Sequence, residues 1–277
     1  MCVSVIILTF NSEKTIAATL KSALQVSDDI HVVDSFSVDK TCAIAKKYGA
    51  NIIQRLFESY GAQRNWAIDS LKLKYDWELH LDADERLSKD LIKELNELKF
   101  SFPENIGGYY IPRLVYFLGR PIYHGDMFPI WHMRLFRRGL GRCEERLYDQ
   151  HFYVTGRTSQ LKHTMIDDHK MTLFEWTARH NQWADSEVDE ILNPCKEHVV
   201  EGKIIGNPIE KKRMIRGFYN RFPLFLRPFI LFLYRYIFRL GFLDGKHGLI
   251  FFVLQAFWFR FLVDAKLFER KLMKDRI

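Results

Sequence analysis

Two aspartates two positions apart, Asp82 and Asp84, stand in the segment WELHLDADERL. The run Trp77 to Leu81 before them reads as a strand, and it delivers both carboxylates at its end. Residues i and i+2 of an extended segment point the same way, so both can face one site. Two carboxylates on one cation leave coordination positions for phosphate oxygens, the arrangement that suits Mg²⁺ or Mn²⁺. A departing diphosphate needs that neutralisation. Taken alone, D-x-D equally describes a solvated acidic loop; its place after an apolar strand gives it weight.

A second carboxylate, Asp34 in HVVDSFSVDKT, also ends a strand-like run. There it can accept hydrogen bonds from a base or a ribose, or act as a turn and capping residue. Asp39, five residues on, suits a helix-capping role at least as well as a ligand role.

The elements that must position these groups alternate. Val3 to Thr9 is a β-branched apolar run without polar alternation, as expected of a strand buried on both faces of a parallel sheet. Asn11 and Ser12 follow as cap residues, and Glu13 to Leu24 reads as a helix. Further strands are expected over Asp29–Val33, Asn51–Gln54 and Trp77–Leu81, with helices over Lys40–Tyr48 and Ala62–Leu73. Such an order implies an α/β fold with a mostly parallel sheet and helices on both faces, whose ligands bind at the carboxyl ends of the strands. Gly107 to about Gly156 is aromatic and basic with short strand-like pieces, and Leu173 to Leu192 reads as a long helix.

The chain has 277 residues, 48% hydrophobic, with a formal charge of +7. A basic balance suits nucleic acid, an anionic membrane or a phosphate-bearing substrate. Nucleic acid is disfavoured because the basic residues gather in an apolar tail rather than along a polar groove. Cys2, Cys42, Cys143 and Cys195 show no C-x-x-C or zinc spacing and read as free thiols in a reducing compartment. The N-terminus has no signal-peptide pattern, so a cytoplasmic location is expected. In the tail, Phe222–Leu243 and Leu249–Val263 are strongly apolar and aromatic but broken by arginines. Arg227, Arg235 and Arg239 fall in a wedge about 120° wide at about 100° per residue. That predicts a helix lying in a membrane interface with its arginines on head-group phosphates, rather than a simple spanning helix. A helical hairpin packed on the catalytic domain is the other reading.

The elements VSVIILTFN, VVDSFSVDKT, GAQRNWAI and LHLDADERL, in this order, resemble those of family-2 glycosyltransferases of the GT-A fold. The likeness is specific over residues 3 to 86 and continues more loosely through MRLFRRG and the segment ending at His169. The tail, with RPFILFLYRY and GFLDGKHG, resembles that of bacterial enzymes building surface polysaccharide or lipopolysaccharide core. The resemblance implies a GT-A domain over 1–215 and a helical membrane-association region over 216–277. It implies a Rossmann-like sheet and inverting transfer of a sugar from a nucleotide-sugar, expected to be a UDP-sugar, with a divalent cation. The acceptor it implies is a lipid-linked saccharide or lipopolysaccharide at the cytoplasmic face of the inner membrane, with the protein peripheral or monotopic.

Residue by residue, the resemblance implies that Thr9, Phe10 and Asn11 line the nucleotide pocket with Glu13 beside it. Asp34 contacts uracil or ribose, and Gln63, Arg64 and Asn65 cradle the nucleotide and its diphosphate. Asp82 and Asp84 flank the metal, Asp84 more directly, and His169 completes the site or else caps the following helix. The base that deprotonates the acceptor hydroxyl is less plain. Related enzymes often carry a glutamate where RLYDQHFYV has Gln150, and glutamine cannot take a proton. Asp149 is the nearest substitute, with Glu144 and Glu145 behind it. Trp131 and Tyr123 could stack on sugars and Arg134 meet a phosphate, though core packing explains each singly.

Two other functions remain open on the residues alone. A nucleotidyltransferase usually needs a glycine-rich basic loop after the first strand, and TFNSEKT has no glycine. A catalytically impaired membrane- or sugar-binding protein would keep the fold and lose the base, which is what Gln150 would signal.

Overall fold

A computed structural model describes residues 3–98, 102–195 and 200–274. In chain order the strands are β1 (Val3–Thr9), β2 (Ile30–Asp34), β3 (Asn51–Gln54), β4 (Trp77–Asp82), β5 (Glu85–Leu87), β6 (Ile106–Phe117), β7 (Arg120–Pro121), β8 (Ile130–Arg137), β9 (Gly141–Cys143), β10 (Phe152–Val154), β11 (Arg157–Gln160) and β12 (Met165–Asp167). The α-helices are α1 (Ile16–Ala23), α2 (Thr41–Lys47), α3 (Tyr60–Ser70), α4 (Lys89–Leu98), α5 (Leu173–Leu192), α6 (Pro208–Tyr219), α7 (Leu226–Leu233), α8 (Gly245–Phe252) and α9 (Phe259–Lys274). The chain forms two compact units. One comprises Met1–Tyr116, Ile130–Glu145 and Gln150–Lys170; the other comprises Phe117–Pro129, Arg146–Asp149 and Met171–Ile277. Helices α5 and α6 therefore group with the C-terminal helices, whereas the expected boundary after residue 215 would leave α5 with the sheet and cut through α6.

In the first unit the sheet runs β3-β2-β1-β4-β8-β6-β12-β5. β1 pairs parallel with β2 and β4, and β2 with β3, while β4 and β8 pair antiparallel. The sheet is thus α/β and mixed, parallel where strands and helices alternate. β1 and β2 are buried almost throughout because their Val, Ile and Leu side chains pack on both faces. Valines, leucines and isoleucines of β1, β2 and β4 share one core with Ile16 and Leu20 of α1 and Leu91 and Leu95 of α4. Register aligns Leu8 with Asp82, Thr9 with Asp34 and Asp34 with Gln54, so four strands end along one edge. α3 approaches β9 so closely that a Cβ on Gly61 would meet the Glu144 carbonyl oxygen at 2.4 Å.

The second unit is helical. α5 packs along α9 through Ala184, Val188, Phe259, Val263 and Leu267. α6 begins at a capping box in which Asn207 Oδ1 accepts from Ile209 N and Glu210 N, and Glu210 accepts from Asn207 N. π-helical turns follow α7 at Tyr234–Phe238 and α8 at Val253–Trp258. Cys42, Cys143 and Cys195 are free, as expected, and Cys2 lies outside the described residues.

Two of the three tail arginines pair with carboxylates. Arg227 is buried, its guanidinium bonded to Asp264, whose other oxygen accepts from Phe225 N at 2.8 Å. Arg239 pairs with Asp126 at 2.5 Å, and Arg235 is half-buried with Nη1 3.6 Å from Met127 Sδ. Charges facing an apolar interior pair with carboxylates that neighbouring segments supply, and here those carboxylates lie far away in sequence. Asp264 also fixes the left-handed Phe225 that opens α7. Asp264→Ala would leave Arg227 uncompensated and should lower unfolding free energy by about 3–5 kcal/mol. Denaturant unfolding of the full chain checks this; a loss under about 1 kcal/mol would mean that the pair is dispensable.

Candidate active site

At the ends of β1 and β2 two loops are latched together. Asn11, at φ +46, donates its N–H to Ser37 Oγ at 2.8 Å, and its Oδ1 accepts from Val38 N at 2.9 Å. Glu13 N donates to Asp39 Oδ2 at 3.0 Å, and the Glu13 carboxylate accepts from Lys40 N at 3.2 Å. Asp39 also accepts from Thr41 N at 2.9 Å, two residues on, just ahead of α2, whose N-cap is Lys40. Phe10 stands exposed at this rim, whereas Thr9 is buried. Asp34 is buried too. Its carboxylate accepts from Ser37 N and Oγ and from Gln54 Nε2. Burial would raise its pKa, but these donors outweigh burial and hold it below the usual carboxylate range. A base or ribose must compete with those bonds to reach it.

α3 carries Gln63 and Arg64 inward, and Ser59 caps its first turn through Ala62 N. Gln63 bonds Ser35 Oγ and accepts from Arg55 Nη1 at 2.5 Å. Arg64 lies over the Phe152 ring and donates to Asp82 Oδ1 at 2.8 Å. Asn65 faces the other way: its amide accepts from Cys143 N and donates to Cys143 O, with a longer contact to Glu145 Oε1 at 3.4 Å.

Asp82 and Asp84 have different surroundings. Asp82 Oδ2 also accepts from Arg134 Nη2 at 2.7 Å, and Arg134 bonds Glu85 Oε1 at 2.7 Å. Burial pushes the Asp82 pKa up, but Arg134 and then Arg64 outweigh it and hold the carboxyl well below its ordinary value. Glu85 is pushed up to about 7, first by burial and then by Asp82 and Asp167, against the pull of Arg134.

Asp84 meets a different partner set. His169 Nδ1 lies 2.5 Å from Asp84 Oδ2, and His169 Nε2 lies 3.4 Å from Asp167 Oδ1. One ligand atom from each of Asp84, Asp167 and His169 falls within 4.8 Å of the others. Arg113 holds Asp167 at 3.1 Å. Two carboxylates and an imidazole fit Mn²⁺ well and Mg²⁺ less well, since imidazole suits later transition metals. Helix α5 is capped by Thr172 and Glu175, so His169 is not its cap.

The sequence reading put Asp82 beside Asp84 on the metal; the fold groups Asp84 and His169 with Asp167, and gives Asp82 to two arginines. Asp167 and Glu85 were not singled out. The signal was present for Asp167, since D-x-H on an extended segment repeats the same-side spacing of D-x-D. Of the proposed bases, Glu144 is buried and accepts from His151 N at 2.8 Å, while Glu145 is exposed. Asp149 belongs to the helical unit, where Lys212, Arg213 and Arg216 surround its carboxylate.

Asp167→Asn should weaken Mn²⁺ binding by about 10- to 100-fold, the range for disturbing a ligand or the carboxylate that orients a ligating histidine. Calorimetry of Mn²⁺ on the folded variant measures it; unchanged affinity would remove Asp167 from the site.

Comparisons with known proteins bear on the family and the fold. Residues 4–140 match the family described as Glycosyl transferase family 2. A glycosyltransferase of Rickettsia conorii is 40% identical over 93 residues, 34% of this chain and only 32% of its own length. One from Rickettsia prowazekii is 28% identical across 99% of this chain and 89% of its own. The lipopolysaccharide core biosynthesis glycosyltransferase LpsC of Rhizobium meliloti is 26% identical across 99% of this chain and 94% of its own. Among solved structures, the mannosyltransferase PcManGT of Pyrobaculum calidifontis, in complex with GDP-Man and Mn²⁺, has a TM-score of 0.55 at 13% identity, covering 96% of this chain and 86% of that one. With its D-x-D strand end, the family match over residues 4–140 and relatives along its length that are named glycosyltransferases, the chain carries a family 2 glycosyltransferase domain of the GT-A fold.

Proposed function

We propose that the protein transfers a sugar, with inversion, from a UDP-sugar to a hydroxyl of a lipid-linked saccharide or lipopolysaccharide-type acceptor at the cytoplasmic face of a membrane. The observation that carries this reading is the Asp84–Asp167–His169 cluster at the strand ends beside Arg64. The mannosyltransferase relative in fold, described with GDP-Man and Mn²⁺, and the LpsC name support the donor class and the acceptor class.

Asp84, Asp167 and His169 would hold a divalent cation, which when bound neutralises charge on the diphosphate. Arg64 is placed to add charge on the same leaving group once a phosphate oxygen competes with Asp82. The latched 11–13 and 37–40 loops hold the nucleoside side ready before binding. For the base we favour Glu145, the one exposed carboxylate of the three candidates. Asp149 is engaged by three cations and Glu144 is enclosed. Asp84→Ala should abolish transfer and Mn²⁺-dependent UDP binding with the fold intact, and Glu145→Gln should cost at least about 10²-fold in kcat. Calorimetry with UDP-, GDP- and dTDP-sugars and a transfer assay test both. A fully active Asp84→Ala would end the metal reading, and a fully active Glu145→Gln would end the base assignment.

The helix Gly241–Lys274 is long and apolar enough, by length and composition, to cross a membrane. We infer that it lies along the surface instead. Arg260, Lys266 and Arg270 on α9 pair with Glu187, Asp185 and Asp189 on α5. Insertion would drag that acidic helix into hydrocarbon at several kcal/mol per charge. The opposite stripe, Leu249, Val253, Phe261, Phe268 and Leu272, is exposed and apolar, as are Leu226, Phe229, Leu233 and Phe238 beside it in sequence. The helical unit carries 20 Lys and Arg against 14 Asp and Glu, which suits an anionic bilayer. With the full chain on anionic vesicles, cysteines placed at Lys246 and Lys274 should both react with an impermeant maleimide from the outside. Protection of one end alone would establish a spanning helix.

A further inference from the structure

In the helical unit, the π-helical turn Tyr234–Phe238 carries an arginine that touches no carboxylate among the described residues. Arg235 is half-buried, and the polar contact of its guanidinium is Met127 Sδ, 3.6 Å from Nη1. A thioether is a weak acceptor and brings no charge. Nearby carboxylates are taken. Asp126 is held by Arg239 at 2.5 Å, and Glu187 by Arg260 at 2.7 and 2.9 Å. Burial, and then the positive charge of Arg260, lowers the pKa of Arg235 to about 10, so it is still charged at neutral pH. A guanidinium drawn from water ordinarily meets a carboxylate there, as Arg227 meets Asp264.

The backbone beneath this side chain is pinned. A Cβ on Gly241 would meet the Arg235 carbonyl oxygen at 2.9 Å, and one on Gly125 would meet it at 3.1 Å, so two segments close on the same peptide. Single π-turns within helices are often functional sites. A second donor stands near. Tyr219, at the end of α6, has a buried hydroxyl without a hydrogen-bond partner among the described residues, and it lies within electrostatic reach of both Arg235 and Arg260. A buried hydroxyl left unbonded is costly. Its ring is fixed, since the Arg227 guanidinium lies over it at 5.2 Å. Phe229, Leu233 and Ile237, along the same helical run as Arg235, are exposed.

We propose that Arg235 and the Tyr219 hydroxyl receive the phosphomonoester headgroup of a membrane lipid, whose chains lie against Phe229, Leu233 and Ile237. A phosphomonoester brings about −1.5 to −2 charges and three acceptor oxygens, enough for a guanidinium fork and a hydroxyl together. A carboxylate offers one charge and two oxygens, and the apolar side chains beside Arg235 give a free anion nothing to hold. The lipid as carrier rests on the reading of the tail as a surface helix. A soluble short-chain lipid needs no bilayer, so its binding can be measured apart from how the tail meets a membrane.

The test is calorimetry of the full chain with dihexanoylphosphatidic acid, beside hexanoate and inorganic phosphate. The lipid should bind more tightly than either control. Arg235→Gln should weaken it on the order of tenfold, and Tyr219→Phe, which removes a hydroxyl without changing charge, severalfold. Thermal unfolding identifies the folded variants, and if Arg235→Gln does not fold, Tyr219→Phe decides alone. No binding of the lipid by the folded chain, or affinity that no folded variant changes, overturns the site. Hexanoate or inorganic phosphate bound as tightly as the lipid also overturns it, since a lipid phosphate would then not be what is recognised. UDP binding is measured alongside. Lipid bound by a chain that binds no UDP keeps this site and sinks the transferase reading, and UDP bound by a chain indifferent to the lipid does the reverse.

Discussion

A carboxylate at a strand end needs donors or a cation to hold it, and Asp82, about a third exposed, has two cations. Arg64 reaches it from α3 and Arg134 from β8, and Arg134 goes on to Glu85 at the start of β5. One charged knot therefore ties a helix to three strands where the chain turns from Asp82 through Asp84. Arg113 on β6 anchors Asp167 in the same manner. Asp84 is positioned by this frame without being consumed by it. The aspartate with the most bonds braces the strand end, and its neighbour two positions on faces His169 and Asp167.

The knot also couples structure to charge. Arg64, Arg134, Asp82 and Glu85 hold one another as a set, because a lone charged member here would carry a desolvation cost. Burial and nearby carboxylates lift Glu85 while Arg64 and Arg134 depress Asp82, so two acids three residues apart respond to the same field in opposite directions. A phosphate oxygen approaching Arg64 would change that balance.

The parallel half of the sheet was legible because β1, β2 and β4 are short, uninterrupted apolar runs ending in carboxylates, and burial on both faces leaves no other pattern. Asp84 and His169 were legible through the family resemblance. Asp167 was hidden behind Asp168 and His169 in a segment too short to announce itself as a strand. The arginines of the tail were misjudged for a physical reason. A helical wheel records angle but not partners, and Asp264 lies 37 residues from Arg227 while Asp126 lies 113 from Arg239. The cations around Asp149 stand 63 to 67 residues away, which no local pattern could have signalled.

Asn65 makes with Cys143 the pair of bonds that a residue of an adjoining strand would make, one accepted and one donated. β9 belongs to a two-stranded ribbon with β10, and such a ribbon presents unpaired backbone to any passing chain. A single side-chain amide thus imitates one residue of a missing third strand. Together with the close approach of α3, it covers that edge of the ribbon.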